Sequence, residues 1–353
     1  MQLRNLAIVA AVLALAGFAL VDALRGPRSP TSPRSPTVET TTAARDAVTG
    51  RERFRATRAP GSLVFLEGEK CRLRQVVASS GSELPLPPVE TACRIWAPRR
   101  GVRIAYRLPG LVGEAVAFQF FDLNHPRRRL AGFRALFGVV AWSPDGQRAA
   151  WCAGPTLGFD YELGGRLDEV AGCPREYAPD GTVLVVAGNR IVAGDRTVVA
   201  AGGPIGALHR GSDGSLAALA GDRIEVFRQG RLVRERRLRS QAIGAPLAFS
   251  PDNCAVLAFR PGLVALIDLG CFRGRDAVVT VSPDNCVDRA VATKSRCARY
   301  PAPHAFRGHA AAWSPDGRWV AVAEGDAIAF HRVVGRYSVV RWPVVAADLA
   351  WLA

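Results

Sequence analysis

Eight cysteines, six aspartates in a recurring phrase, two histidines five residues apart and one arginine triplet are the groups whose types and spacing could do chemistry. The cysteines are Cys71, Cys93, Cys152, Cys173, Cys254, Cys271, Cys286 and Cys297. An even number suits four disulfides in an exported chain, although spacing alone leaves their connectivity open. No Cys-x-x-Cys pair occurs and the five histidines are scattered, which argues against a zinc cluster. The aspartates are Asp145, Asp180, Asp213, Asp252, Asp284 and Asp316. Each lies inside a turn phrase, so its carboxylate is expected to satisfy the backbone of its own hairpin rather than a metal or substrate. His304 and His309 stand in a loop before the last copy of that phrase, with no carboxylate close by, and read first as solvated loop residues. Arg127, Arg128 and Arg129 fall in the longest step between phrases, where an inserted loop can carry function. With the two histidines they are the candidate binding residues. No nucleophile elbow, metalloprotease helix, phosphate loop or calcium loop is present, so no catalytic residue, metal or cofactor is expected.

The elements that position these groups follow from the phrase itself. An apolar run ends in Ser-Pro-Asp-Gly and another apolar run follows. The full copies are Trp142-Ser143-Pro144-Asp145-Gly146 and Trp313-Ser314-Pro315-Asp316-Gly317. Partial copies carry Asp180-Gly181, Asp213-Gly214, Asp252-Asn253 and Asp284-Asn285, and Trp96-Ala97-Pro98 resembles a degraded first one. Pro presets φ for a turn, Asp bonds the backbone ahead, and Gly or Asn accepts the left-handed conformation that closes a hairpin. The flanks are strand-like, as are Thr182–Ala187, Arg190–Ala193 and Thr197–Ala200. Recurrence at a period in the thirties means a repeat architecture. The expected fold is therefore all-β, a single propeller of four-stranded blades: eight by motif count, or seven if the copy at Asp284 is not a blade.

The Trp-Ser-Pro-Asp-Gly phrase resembles the WD-like repeat of TolB-type β-propellers over roughly residues 61–353. The separate α/β domain that precedes the TolB propeller has no counterpart here, so a role in the Tol system is not implied. The C-terminal Asp348–Trp351 resembles an innermost strand, and Ser62–Leu66, Arg72–Val77 and Glu83–Val89 resemble the three others of its blade. One blade shared by both ends would close the ring and leave no exposed sheet edge.

Propeller geometry then sorts the cysteines. Loops joining strands one to two and three to four share one face; the remaining loops share the other. Cys71 with Cys93, and Cys152 with Cys173, fall on the second face, and Cys254 with Cys271 on the first. Cys286 and Cys297 fit poorly: a full strand between them would set them roughly 23 Å apart at ~3.3 Å per residue, beyond the reach of a disulfide.

Residues 1–24 read as a signal peptide or N-terminal membrane anchor, with Arg4 before an apolar run from Leu6 to Val21. Residues 25–60, rich in Pro, Ser, Thr and Arg, read as an extended linker. The net charge of +15 comes from 46 basic and 31 acidic residues. Only Lys70 and Lys294 are lysines, and the arginines are dispersed along the body. Dispersed charge in an exported chain argues against a nucleic-acid partner. The expectation is an extracytoplasmic, non-enzymatic propeller, monomeric, binding another protein or an envelope ligand. The alternative is a lactonase- or hydrolase-type enzyme with its site in the central channel, since the fold hosts both.

Overall fold

A computed structural model describes residues 59–353 together with Glu52 and Arg55, apart from 78–79, 85, 87–92, 99, 109–114, 126–128, 137–139, 155, 239–246, 270–278, 281–304 and 335–336. The expected leader and most of the linker lie outside the described residues. The described chain forms seven antiparallel four-stranded blades in a ring.

Blade 1 comprises Ile95–Trp96, Arg103–Arg107, Ala115–Asp122 and Arg129–Leu136; blade 2 comprises Val140–Trp142, Arg148–Cys152, Leu157–Glu162 and Leu167–Ala171. Blade 3 runs through Cys173–Tyr177, Val183–Ala187, Arg190–Ala193 and Arg196–Ala200. Blade 4 runs through Ile205–Arg210, Leu216–Ala220, Arg223–Arg228 and Arg231–Arg237. Blade 5 is Leu247–Phe249, Ala255–Arg260, Leu263–Asp268 and Ala305–Arg307, and blade 6 is Ala310–Trp313, Trp319–Ala323, Ile328–Arg332 and Ser338–Trp342. Blade 7 takes its inner strand, Ala346–Leu352, from the C-terminus and Ser62–Glu67, Arg72–Val77 and Glu83–Leu84 from the other end of the body. Leu63 pairs with Trp351 and Ser62 with Leu352, closing the ring.

The count corrects the motif arithmetic from eight to seven. Blade 5 takes its fourth strand from Ala305–Arg307, which pairs with Leu263–Ala265. The phrase at Asp284 therefore falls inside the connection between two strands of one blade and starts no blade of its own. Asp284 itself, with Cys271, Cys286 and Cys297, lies outside the described residues. Within that connection Val279 and Thr280 pair in parallel with Arg234 and Glu235, so the outer strand of blade 4 carries a fifth strand on its edge. The unpaired groups of that edge are thereby partly covered.

Burial follows strand position. A second strand is flanked by partner strands and sandwiched between neighbouring blades, and in blades 4 and 6 it reads as a continuous apolar run. Every residue of Leu216–Ala220 and of Trp319–Ala323 is buried. An outer strand such as Leu167–Ala171 alternates instead between half-buried and exposed positions. The cores lie between blades. Trp151 is fully buried among Phe118, Phe133 and Phe159, joining blades 1 and 2; truncating such a side chain to Ala costs about 3–5 kcal/mol. Trp142, Trp313 and Trp351 occupy equivalent inner-strand positions and pack against the preceding blade.

Two disulfides staple the second face. Cys71–Cys93 has its Cα atoms 5.3 Å apart and joins blade 7 to the start of blade 1. Cys152–Cys173, at 4.7 Å, joins blade 2 to blade 3. Cys254 is also disulfide-bonded, to a cysteine outside the described residues. Such bonds suggest an oxidising compartment.

Candidate functional site

The repeated aspartates are engaged by their own turns. Asp145 Oδ1 accepts the Ser143 hydroxyl at 2.5 Å and the Gln147 N–H at 3.0 Å, while Ser143 Oγ accepts the Arg148 N–H at 2.8 Å. Asp316 repeats the pattern with Ser314 (2.6 Å) and the Arg318 N–H (3.1 Å). Asp252 does so with Ser250 (2.7 Å) and the Cys254 N–H (3.0 Å). Asp180 accepts from the Thr182 N–H at 2.9 Å, and Asp213 from the Ser215 N–H and hydroxyl. The Ser143 hydroxyl, with the Gln147 N–H second, holds the Asp145 carboxyl below the usual carboxylate range. Gly146 has φ 69°, and a Cβ there would collide with the carbonyl oxygen of Arg100 in blade 1, so this turn is tight as well as left-handed. Gly181, Gly214 and Gly317 take the same positive φ in their turns.

Of the other sequence candidates, His309 and the backbone of Arg129 are among the described residues. His309 sits before the inner strand of blade 6, and its Nε2–H donates to the Ala346 carbonyl at 2.9 Å. His304 lies outside the described residues, as do Arg127 and Arg128. Arg129 pairs with Phe121 in the last strand of blade 1. The long step there comes in part from two eight-residue strands, Ala115–Asp122 and Arg129–Leu136.

Two carboxylates on the inner strands, Asp348 and Glu176, are tied to backbone. Asp348 is buried; its Oδ2 accepts the Ile95 N–H at 3.0 Å, with Arg94 Nε at 3.7 Å. Burial pushes its carboxyl up, against the opposing pull of Arg94. Glu176 accepts the Tyr177 N–H on one oxygen and the Arg210 N–H on the other, both at 3.0 Å, coupling blades 3 and 4. Between blades 2 and 3 the buried Asp160 accepts from Arg148 and from the Tyr177 hydroxyl at 2.7 Å. Among the described residues no three His, Cys, Asp or Glu side chains converge as a metal would require.

The open concavity is elsewhere. A cleft of about 390 Å³ lies on the first face between blades 3 and 4. Its floor includes Leu184, Leu216 and Phe227, all buried, and Asp180 and Arg196 stand exposed at its rim. Turns frame it: Ala178–Gly181 from blade 3 and Gln229–Gly230 from blade 4. Gln229 (φ 49°) and Gly230 (φ 75°) are both left-handed, the backbone of a tight hairpin turn, which a glutamine adopts only under strain. The cleft thus combines an apolar floor with a charged rim.

No family model and no curated protein matches this chain. Among solved structures it is similar to the β-propeller domain of Myceliophteria thermophila Cps50 (Swd1), at 14% identity over 72% of this chain and 87% of that one, with a TM-score of 0.47. It is similar also to TolB from Acinetobacter baumannii, at 15% identity over 92% of this chain and 74% of that one, TM-score 0.41. A third likeness is to dihydro-heme d1 dehydrogenase NirN in complex with DHE, at 12% identity over 82% and 75%, TM-score 0.46. At such identities the likeness concerns the fold alone; the seven blades stand on the strand pairing itself.

The cleft was not visible in the repeat phrase, because it needs turns and strands brought together from two different blades. One signal was available: Gln229-Gly230 flanked by strand-like runs marks a hairpin turn.

Proposed function

We propose that this chain is an exported, non-enzymatic propeller that binds another protein or an envelope ligand through its first face, in the cleft between blades 3 and 4. The cleft carries the reading: it combines a buried apolar floor at Leu184, Leu216 and Phe227 with opposite charges at Asp180 and Arg196. An apolar anchor seated in such a pocket, with charge setting orientation, is how few residues supply most of a binding energy. Two disulfides, with the expected leader, support a location outside the cytoplasm, secreted or held at the membrane by the N-terminal segment. Acid–base work at the axis would draw on Glu176 and Asp348, and both carboxylates accept backbone N–H bonds that hold neighbouring blades together.

The test compares the wild-type protein with Thr182→Trp, which fills the mouth of the cleft from an exposed position. Each is immobilised and cross-linked in an envelope extract. A partner recovered by the wild type should fall at least about tenfold in the variant, the loss expected when an anchor pocket is filled. Equal recovery by both proteins would exclude the cleft as the docking site.

A further inference from the structure

Cys71 and Cys93 are bonded to each other, and both have left-handed backbones, with φ of 48° and 54°. A residue with a Cβ takes that region at a cost, so this disulfide carries backbone strain at each end. Cys71 is buried and closes a hairpin, its N–H donating to the Gly68 carbonyl at 3.1 Å. Cys93 is exposed and belongs to no strand, so no ladder of its own holds it in that conformation. The other disulfide on this face supplies the contrast. Cys152 and Cys173 lie in strands, neither is left-handed, and they are buried and half-buried. Strained or exposed disulfides are the more readily reduced ones.

The strained bond adjoins the shortest inner strand of the ring. Ile95–Trp96 has two residues, so few ladder bonds hold it against Arg103–Arg107. Three restraints on residues 93–95 supplement that ladder. Cys93 is tied through its sulfur to blade 7, Arg94 Nε stands 3.7 Å from Asp348 Oδ2, and the Ile95 N–H donates to the same oxygen at 3.0 Å. Asp348 is buried on the inner strand of blade 7, so disulfide and carboxylate fasten the same three residues to the same blade. Restraints sharing one segment reinforce each other: holding Arg94 and Ile95 keeps Cys93 beside Cys71, and the converse follows.

We propose that Cys71–Cys93 is a redox latch: a dithiol reductant opens it ahead of Cys152–Cys173 and frees the start of blade 1 from Asp348 at the boundary with blade 7. A thiolate of the reductant attacks the exposed Cys93 sulfur, and the Cys71 sulfur leaves with the bonding pair and takes up a proton. The second thiol of the reductant then displaces Cys93, which leaves as a thiol, and the reductant departs as its own disulfide. The protein gains two electrons and two protons, and the dithiol loses them. With residues 93–95 released, a buried carboxylate loses its charge partner, which favours opening of that boundary. None of Cys71, Cys93, Arg94 and Asp348 lines the first-face cleft. The latch is therefore independent of the docking reading above, and either can fail without the other.

The test titrates the native full chain with dithiothreitol at neutral pH, followed by acid quench, alkylation and mass spectrometry of each cysteine. Cys71 and Cys93 should label together, at a reductant concentration about tenfold below that for Cys152 and Cys173, as strain at both ends implies. Arg94→Gln, at an exposed position, should lower the Cys71–Cys93 midpoint about threefold further, the effect of one partly exposed ion pair, and leave that of Cys152–Cys173 in place. Hydrogen exchange reads the release itself. After selective reduction the amides of Ile95 and Arg107, which bond Asp348 and the Arg94 carbonyl, should lose protection about tenfold or more. Those of Val320–Val322 in blade 6 should keep it, which separates local release from global unfolding. The double variant Cys71→Ser with Cys93→Ser should show the same exchange pattern without reductant. Reduction of both disulfides together, reduction of Cys152–Cys173 first, or unchanged protection at Ile95 would each overturn the proposal. Should the double variant fail to fold, the selectively reduced wild type, which needs no substitution, decides.

Discussion

Asn253 Oδ1 lies 2.7 Å from His209 Nδ1, across the boundary between blades 5 and 4. The same side chain donates through Nδ2 to the Ser215 carbonyl (3.2 Å) and hydroxyl (2.9 Å). Asn253 stands where the full repeats have glycine, is fully buried, and adopts φ 52°. It therefore supplies the left-handed turn residue and a cross-link between blades at once. His209 in turn stacks on Phe249, ring centroids 5.1 Å apart.

Asn253→Gly should keep the turn and lose the cross-link, leaving buried partners at Ser215 unsatisfied and destabilising the fold by about 1–3 kcal/mol. Asn253→Ala should be worse by a further ~1–2 kcal/mol, because a Cβ without a side-chain bond is strained at that φ. Thermal unfolding at a fixed scan rate should rank wild type above Asn253→Gly above Asn253→Ala. A glycine variant as stable as the wild type would show that the cross-link contributes nothing.

The turn aspartates predict an acid limb. Asp145 is held low first by the Ser143 hydroxyl, and Asp180 first by the Thr182 backbone N–H. A folded carboxyl that binds its proton more weakly than the unfolded one contributes stability that is complete above the unfolded value. That contribution is lost as pH falls through the folded value. Tm should therefore drop below about pH 4, the unfolded carboxylate range, and Asp145→Asn should shrink the drop. Asp316→Ala should cost about 1 kcal/mol at neutral pH, and Asp316→Asn less, since an amide oxygen still accepts the Arg318 N–H. A Tm independent of pH in that range would contradict the turn assignment.

A second pH window belongs to His331, which is buried against Phe306 (centroids 4.3 Å) with Nδ1 3.1 Å from the Tyr337 hydroxyl. Burial, then the Arg341 charge, lowers it to about 4. The unfolded chain takes up this proton near pH 6.5 and the folded one only near 4, so stability should fall as pH drops between those values. His331→Leu should flatten the slope there and leave the limb below pH 4. An unchanged slope would place the effect on another group.

The cysteines give a count. Cys71, Cys93, Cys152, Cys173 and Cys254 are bonded, and the partner of Cys254 makes a sixth. Thiol titration of the denatured, unreduced chain should find at most two reactive thiols of the eight cysteines. Three or more would contradict the bonding. Cys152→Ser with Cys173→Ser should lower stability by about 2–4 kcal/mol.

Much of the architecture was legible because each blade repeats one local device. Strands Arg72–Val77 and Arg190–Ala193 were read to the residue, since turn chemistry and apolar runs act over a few neighbouring positions. The blade count was not. The phrase at Asp284 has the local chemistry of a blade start, yet blade 5 reaches past it to Ala305–Arg307, and which strand pairs with Leu263–Asp268 is a contact between distant segments. The run Arg231–Arg239 reads as an exposed outermost strand; in the structure Arg231–Arg237 is the fourth strand of blade 4, and Val279–Thr280 adds to its edge.

The sequence alone determined the fold class, the closing of the ring by Asp348–Trp351 against the strand at Ser62–Leu66, and the shared face on which Cys71 with Cys93 and Cys152 with Cys173 then bond in the structure. Each rests on short-range patterning repeated at a regular step. Only the tertiary structure decided that there are seven blades and that a cleft opens between blades 3 and 4. Those features arise where separate blades touch, and packing between distant segments leaves no periodic trace in the chain.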